Sequence, residues 1–137
     1  MKIIQSCWSC NHRDFLKFKA GWIAPEYHLM SWALSCLQLK RYHNEIMLYS
    51  DCASAHVLID ELRLPYDKVE CNLDYLNSYH PHLWALPKIY TYSKQEEPFL
   101  HIDGDVYIWE PFEDLLLNSS LIAQNLEVAT KCYEDIF

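Results

Sequence analysis

Glycine is nearly missing from this sequence, which has two in 137 residues, Gly21 and Gly104. No apolar stretch approaches the roughly 18 residues of a membrane-spanning helix, which excludes such a span. After Lys2, only Ile3 and Ile4 precede the polar Gln5 and Ser6, too little for a signal-peptide core. The expected compartment is therefore cytoplasmic, and the strand-like start leads us to expect the natural beginning of the chain. Basic side chains are also scarce. The formal net charge is −8: residues 1–43 hold six basic and two acidic side chains, whereas residues 44–137 hold five basic and seventeen acidic. A phosphate backbone needs a continuous basic face, so nucleic acid is excluded as the main partner; an anionic small molecule is admissible where a metal or local cations meet it. Repeats, low-complexity tracts and linkers are absent. The length suits one domain over residues 1–137, burying about two-thirds of the unfolded chain's surface around one core. Cys7, Cys10, Cys36, Cys52, Cys71 and Cys132 are even in number, but their spacing and the 51% hydrophobic content do not resemble a secreted disulfide scaffold. Most are expected to be buried, reduced thiols.

What is present reads as alternating strands and helices. Residues Lys2 to Ser6 suit a short strand, followed by a long aromatic and basic segment from Cys7 to Ala24. Pro25 suits a first helical position and Glu26 a first turn, and Tyr27, Met30, Leu34, Leu37 and Arg41 recur at helical spacing. A second strand is expected over Glu45 to Ser50. Asp51 can cap a helix through Ala53 to Leu62, stopped by Pro65, and Lys68 to Cys71 suits a third strand. From Asp74 to Ser93 a helical signal is interrupted by Pro81 and Pro87, giving either two short helices or one kinked at Pro87. A central strand follows, then an apolar segment from Val106 to Trp109, a helical turn from Pro111 to Asn118 and an apolar run from Leu121 to Ala123. The order β-α-β-α-β-α-β predicts an α/β protein with an open, mostly parallel sheet.

The chain is organised around Pro98 to Phe112, PFLHIDGDVYIWEPF. Phe99, Leu100 and Ile102 suit a strand covered on both faces, and Asp103 and Asp105 follow at its carboxyl end, where open parallel sheets bind ligands. A D-x-D triplet alone is weak. Two carboxylates delivered to a glycine turn by a buried strand are costly, however, unless a cation or hydrogen bonds compensate them, and carboxylate oxygens favour Mg²⁺ or Mn²⁺. The bland alternative is a structural turn. His101 is adjacent, but strand alternation turns it away, an ordinary core or edge histidine.

HIDGDVYIW, preceded by HPHLWALPKIYTYSKQEEPFL, resembles the D-x-D region of glycosyltransferases with the GT-A fold, most of all an uncharacterised bacterial family of D-x-D-containing glycosyltransferases. IIQSCWS, GWIAPEYHLMSWALSCLQL, LYSD and WALPKIY extend the resemblance over nearly the whole chain. It implies a Rossmann-like nucleotide-diphospho-sugar transferase domain with helices on both sheet faces. Asp103 and Asp105 would hold Mn²⁺ or Mg²⁺ on the diphosphate of a UDP- or GDP-linked sugar, with the acceptor unspecified. Ser6 and Asp51, ending the first two strands, become candidates for base or ribose contacts, though Asp51 has an equally ordinary role as a helix cap. Lys88 can reach a donor phosphate or remain a solvated lysine. Trp8 and Trp22 can stack on a base or sugar or pack against the sheet, and Arg13, Lys17 and Lys19 can offset phosphate charge or form a wet surface. GT-A domains generally continue much further beyond the motif than from Asp105 to Phe137. The resemblance therefore implies the amino-terminal, donor-binding part.

Three other readings compete. A haloacid-dehalogenase-type phosphohydrolase also places D-x-D after an apolar strand, but Tyr107 stands where that pattern wants Thr or Val, and little chain follows for its later motifs. Cys7-Trp8-Ser9-Cys10 after a strand is similar to a dithiol redox motif, yet Asn11 to Lys19 makes a poor helix start; a zinc site on Cys7, Cys10 and His12 lacks a second ligand pair. A non-catalytic nucleotide-binding or interaction domain is the third.

Overall fold

The computed structural model describes residues 1–12 and 14–123, so Arg13 and Cys132 lie outside the described residues. In chain order the elements are β1 (Lys2–Cys7), α1 (Pro25–Tyr42), β2 (Ile46–Ser50), α2 (Cys52–Ala55), β3 (Lys68–Cys71), α3 (Leu86–Ser93), β4 (Phe99–His101) and α4 (Asp114–Leu117). The strands form one open, all-parallel sheet in the order β3-β2-β1-β4. The first two crossovers run outward from β1 through α1 and α2 on one face. The third reverses direction, and the right-handedness of parallel crossovers then requires α3 to cross on the opposite face. Accordingly Trp32, Cys36 and Leu39 of α1 pack with Ile3, Ile46 and Leu48 on one side. On the other, Leu86 and Tyr90 of α3 pack with Ile4, Met47 and Phe99.

Every residue of β2 is buried, as the covered middle of a parallel sheet demands. The strand expected at the centre, β4, instead pairs only with β1 among the described residues, and its three residues are half-buried. Strand order cannot be deduced from apolar content, and the short FLH run sits at the edge. Helix α2 begins as expected at its Asp51 cap but passes into a π-helical stretch, His56–Glu61, and exits through Arg63 at φ +52°. Of the two possibilities for residues 74–93, the structure takes two short helical pieces, a 3-10 turn at Asp74–Ser78 and then α3. Pro87 lies in the first turn of α3, where its missing N–H leaves no bond unmade. Among the described residues, no helix is long and apolar enough to cross a membrane.

Helix α1 starts at Pro25 as expected, and the residues whose spacing signalled it are not its inner face. Tyr27, Met30, Leu34 and Leu37 are exposed, Met30 to 63%, while His28, Ser31, Trp32, Ser35, Cys36, Gln38 and Leu39 are buried. A stripe that mixes serine, histidine and glutamine is inward because the site, as well as the core, lies beneath it.

Candidate functional site

The order reversal places a crevice between the carboxyl ends of β1 and β4, the topological switch point at which open α/β sheets bind ligands. A cavity of about 520 Å³ occupies it, lined by Ser6 near the end of β1 and Trp8 just after it, Lys88 of α3, and Asp103 and Asp105 after β4. Five residues separated by up to ninety-nine positions in sequence thus meet on one wall because parallel strands deliver their carboxyl ends to one edge.

The D-G-D turn is held from below by α1. Val106 N–H donates to the Asp103 carbonyl at 3.1 Å, closing a four-residue turn. Ser31 Oγ donates to the Gly104 carbonyl at 2.8 Å while accepting from Tyr107 Oη at 2.8 Å. Ser35 Oγ donates to the Val106 carbonyl at 2.7 Å and accepts from Gln5 Nε2 at 3.0 Å; Tyr66 Oη, in turn, donates to Gln5 Oε1 at 2.7 Å. Ser31 and Ser35 on the inner face of α1 and Gln5 in the middle of β1 are therefore spent on loop carbonyls or on one another, as burial requires.

Gly104 is required by close approach. A Cβ there would lie 2.6 Å from Trp32 Cδ2 and 2.7 Å from Cζ2, inside van der Waals contact with a buried indole. Trp32 cannot yield freely, since its Nε1–H donates to His28 Nε2 at 3.0 Å, leaving Nδ1–H of that neutral histidine to donate to the Phe18 carbonyl at 3.0 Å. Burial holds the His28 pKa below its ordinary value, consistent with this neutral relay. We expect Gly104→Ala to destabilise the protein by about 2 kcal/mol through overpacking. In urea denaturation its loss combined with Trp32→Ala should be smaller than the sum of the two, because the second change removes the clash. Strict additivity would refute the contact.

Lys88 Nζ lies 2.7 Å from Asp103 Oδ2 and 5.0 Å from the centre of the Trp84 ring, which also lines the cavity. Of its two expected outcomes, Lys88 takes the one that faces the site rather than solvent alone. His101, expected to turn away, stands on the same side as Asp103. Its Nε2 is hydrogen-bonded to Ser6 Oγ at 2.9 Å and its Nδ1 lies 3.6 Å from Asp103 Oδ1, too far for a hydrogen bond. Burial outweighs the carboxylate and, with Lys88 nearby, pushes the His101 pKa down to about 4. Alternation does apply, but Phe99, His101 and Asp103 share the face that α3 covers.

Other expectations fare differently. Asp51 does not line the cavity; it is fully buried, accepting from Ser9 N–H at 3.0 Å and Ser54 N–H at 3.1 Å and from both serine hydroxyls. Its ordinary role as a cap is the one the structure displays, extended to pin the loop after β1. Trp8 borders the cavity but is 5% exposed, its Nε1–H donating to Asn77 Oδ1 at 2.7 Å, so the indole is chiefly a wall. Trp22 lines the cavity more openly. Lys17 pairs with Asp14 on the surface, and neither Lys17 nor Lys19 borders the cavity. Among the cysteines, Cys7 and Cys36 are buried, whereas Cys52 and Cys71 are exposed. Burial first and Asp51 second raise the Cys7 thiol well above its usual range and push Cys10 to about 11. Cys10 and Asn11, at φ +52° and +66°, do not begin a helix, so the helix start that would activate a thiolate is not there.

Among the described residues, no three His, Cys, Asp or Glu side chains gather as a metal cluster. Two carboxylates on an open cavity nonetheless suit Mg²⁺ or Mn²⁺, which commonly take one or two protein carboxylates and fill the remaining positions with water and phosphate. The donor set fits such an ion. The residues that escaped sequence reasoning are Gln5, Ser31, Ser35 and the His28–Trp32 pair. Their signal was the i, i+4 spacing of His28 with Trp32 and of Ser31 with Ser35.

In comparisons with known proteins, no curated protein and no solved structure matches the chain. Residues 1–137 match DUF6734, a family of unknown function, and the chain belongs to that family.

Proposed function

We propose that this protein is the donor-binding domain of a metal-dependent glycosyltransferase of the GT-A type, acting on a nucleotide diphosphate sugar, UDP- or GDP-linked. One observation carries this reading: a cavity at the β1/β4 switch point whose wall combines Asp103, Asp105 and Lys88. Opposite charges at one rim suit a ligand that is anionic in one part and arrives with a divalent ion. Asp103 and Asp105 would hold Mn²⁺ or Mg²⁺, which when bound supplies Lewis-acid stabilisation of the departing diphosphate. Lys88 contributes a further positive charge to the phosphates. Trp84 and Trp22 offer aromatic faces for a sugar or base, and Trp8 walls the cavity toward the core.

The alternative, a domain that binds the donor without transferring the sugar, shares this site and is separated from an enzyme by turnover alone. Calorimetric titration of UDP and of GDP into the protein, with Mn²⁺ and then with excess chelator, tests the binding reading. The expected result is micromolar affinity for one of them that chelation abolishes. A folded protein with no affinity for either nucleotide overturns it.

A further inference from the structure

We infer that Lys88 is the resident cation of the Asp103 carboxylate and that metal and diphosphate enter by exchange: Lys88 yields Asp103 to the divalent ion and moves to the phosphate. This rests on the function proposed above and assigns its order of events. Among the described residues, Lys88 is the only lysine or arginine within ion-pair distance of Asp103, with Nζ 2.7 Å from Oδ2. The other oxygen, Oδ1, faces His101 Nδ1 at 3.6 Å, beyond hydrogen-bond range. An ammonium and a divalent ion on one carboxylate repel one another, so each weakens the other's hold on Asp103. Lys88 is equipped to leave. Its side chain is only partly enclosed, its head sits 5.0 Å from the centre of the exposed Trp84 ring, and a flexible four-carbon stem starting in the first turn of α3 sweeps the cavity that both residues line.

Exchange has a thermodynamic consequence. The divalent ion alone must displace Lys88, which then has no anion to meet; with diphosphate present, the displaced ammonium finds a new partner. Metal and diphosphate must therefore bind with positive coupling, reciprocal between the two ligands. A lysine that merely lines the site, outside the exchange, predicts no penalty on metal binding in the absence of phosphate.

Electron paramagnetic resonance of free Mn²⁺, titrated with the whole chain in the presence and absence of UDP, measures this without requiring turnover. Lys88→Met should bind Mn²⁺ alone about 5- to 10-fold more tightly than wild type, the scale of removing one partly exposed competing cation. Lys88→Arg, which keeps the charge, should bind Mn²⁺ alone no more tightly than wild type. UDP should tighten Mn²⁺ binding by wild type about tenfold and by Lys88→Met less, the coupling that remains being the ion's own contact with the diphosphate. Lys88→Ala is a second neutral variant, with the same expectation should the methionine protein not fold. Metal-dependent UDP binding by wild type, together with neutral variants whose affinity for Mn²⁺ alone is unchanged or weaker, overturns the exchange while leaving the proposed function standing. Failure of wild type to bind Mn²⁺ with UDP and, in a repeat titration, with GDP overturns the proposed function, and the exchange with it.

Discussion

Protein carrying Asp103→Ala and Asp105→Ala should lose divalent-ion-dependent affinity for UDP or GDP altogether, a fall of at least about a hundredfold, and keep its fold. The reasoning is local. Mg²⁺ and Mn²⁺ draw much of their protein affinity from charged carboxylate oxygens, and this cavity presents two on its wall. An isosteric pair, Asp103→Asn with Asp105→Asn, should behave alike, since an amide oxygen lacks the charge. Stability should hardly change. Asp105 is exposed, and the Asp103–Lys88 pair, with side chains 39% and 25% exposed, is screened enough by water to contribute less than about 1 kcal/mol. The turn itself is held through backbone carbonyls by Ser31 and Ser35, which neither substitution touches. Matching circular dichroism and urea midpoints, with binding measured by calorimetry, complete the test. Wild-type affinity in either double variant would sink the metal assignment.

Asp51→Ala should do the reverse: lose about 4 kcal/mol of stability in urea denaturation and leave nucleotide affinity intact in the fraction that folds. Asp51 is 0% exposed, and its two oxygens serve two backbone N–H groups and two hydroxyls. Removing it abolishes a helix cap, worth about 1 kcal/mol, and strands buried donors that each cost about 1–3 kcal/mol. Asn restores an acceptor for one serine but points N–H groups at the other, so Asp51→Asn should recover about half the loss. A stable Asp51→Ala protein that no longer binds nucleotide would return this residue to the ligand.

Much of the fold was legible because its signals are local. Pro25 with Glu26 starts α1, Asp51 starts α2, and the strands expected over 2–6, 45–50 and 68–71 stand at Lys2–Cys7, Ile46–Ser50 and Lys68–Cys71. The inner face of α1 was not legible for a physical reason: Tyr27, Met30, Leu34 and Leu37 signal a helix by their spacing, but the true inner stripe must also hydrogen-bond the turn at 103–106. A polar inner face defeats a criterion based on apolar spacing. The proline at 87 was ambiguous because the same residue breaks a helix interior and starts a helix, and only packing decides which.

At the site, Asp103 and Asp105 stood out by their position after an apolar run, and Lys88 as a candidate for a donor phosphate, whereas its pairing with Asp103 did not. By itself, the sequence determined the succession of strands and helices, because propensity, capping and periodicity act within a few residues. It also determined that two carboxylates and a glycine follow the last strand. Tertiary structure alone decided that β4 lies beside β1 at the sheet edge, that His101 faces Ser6, that Asp51 is enclosed by Ser9 and Ser54, and that Gly104 exists to admit Trp32. These contacts join residues far apart in the chain, and strand order, which no local preference encodes, is what brings them together.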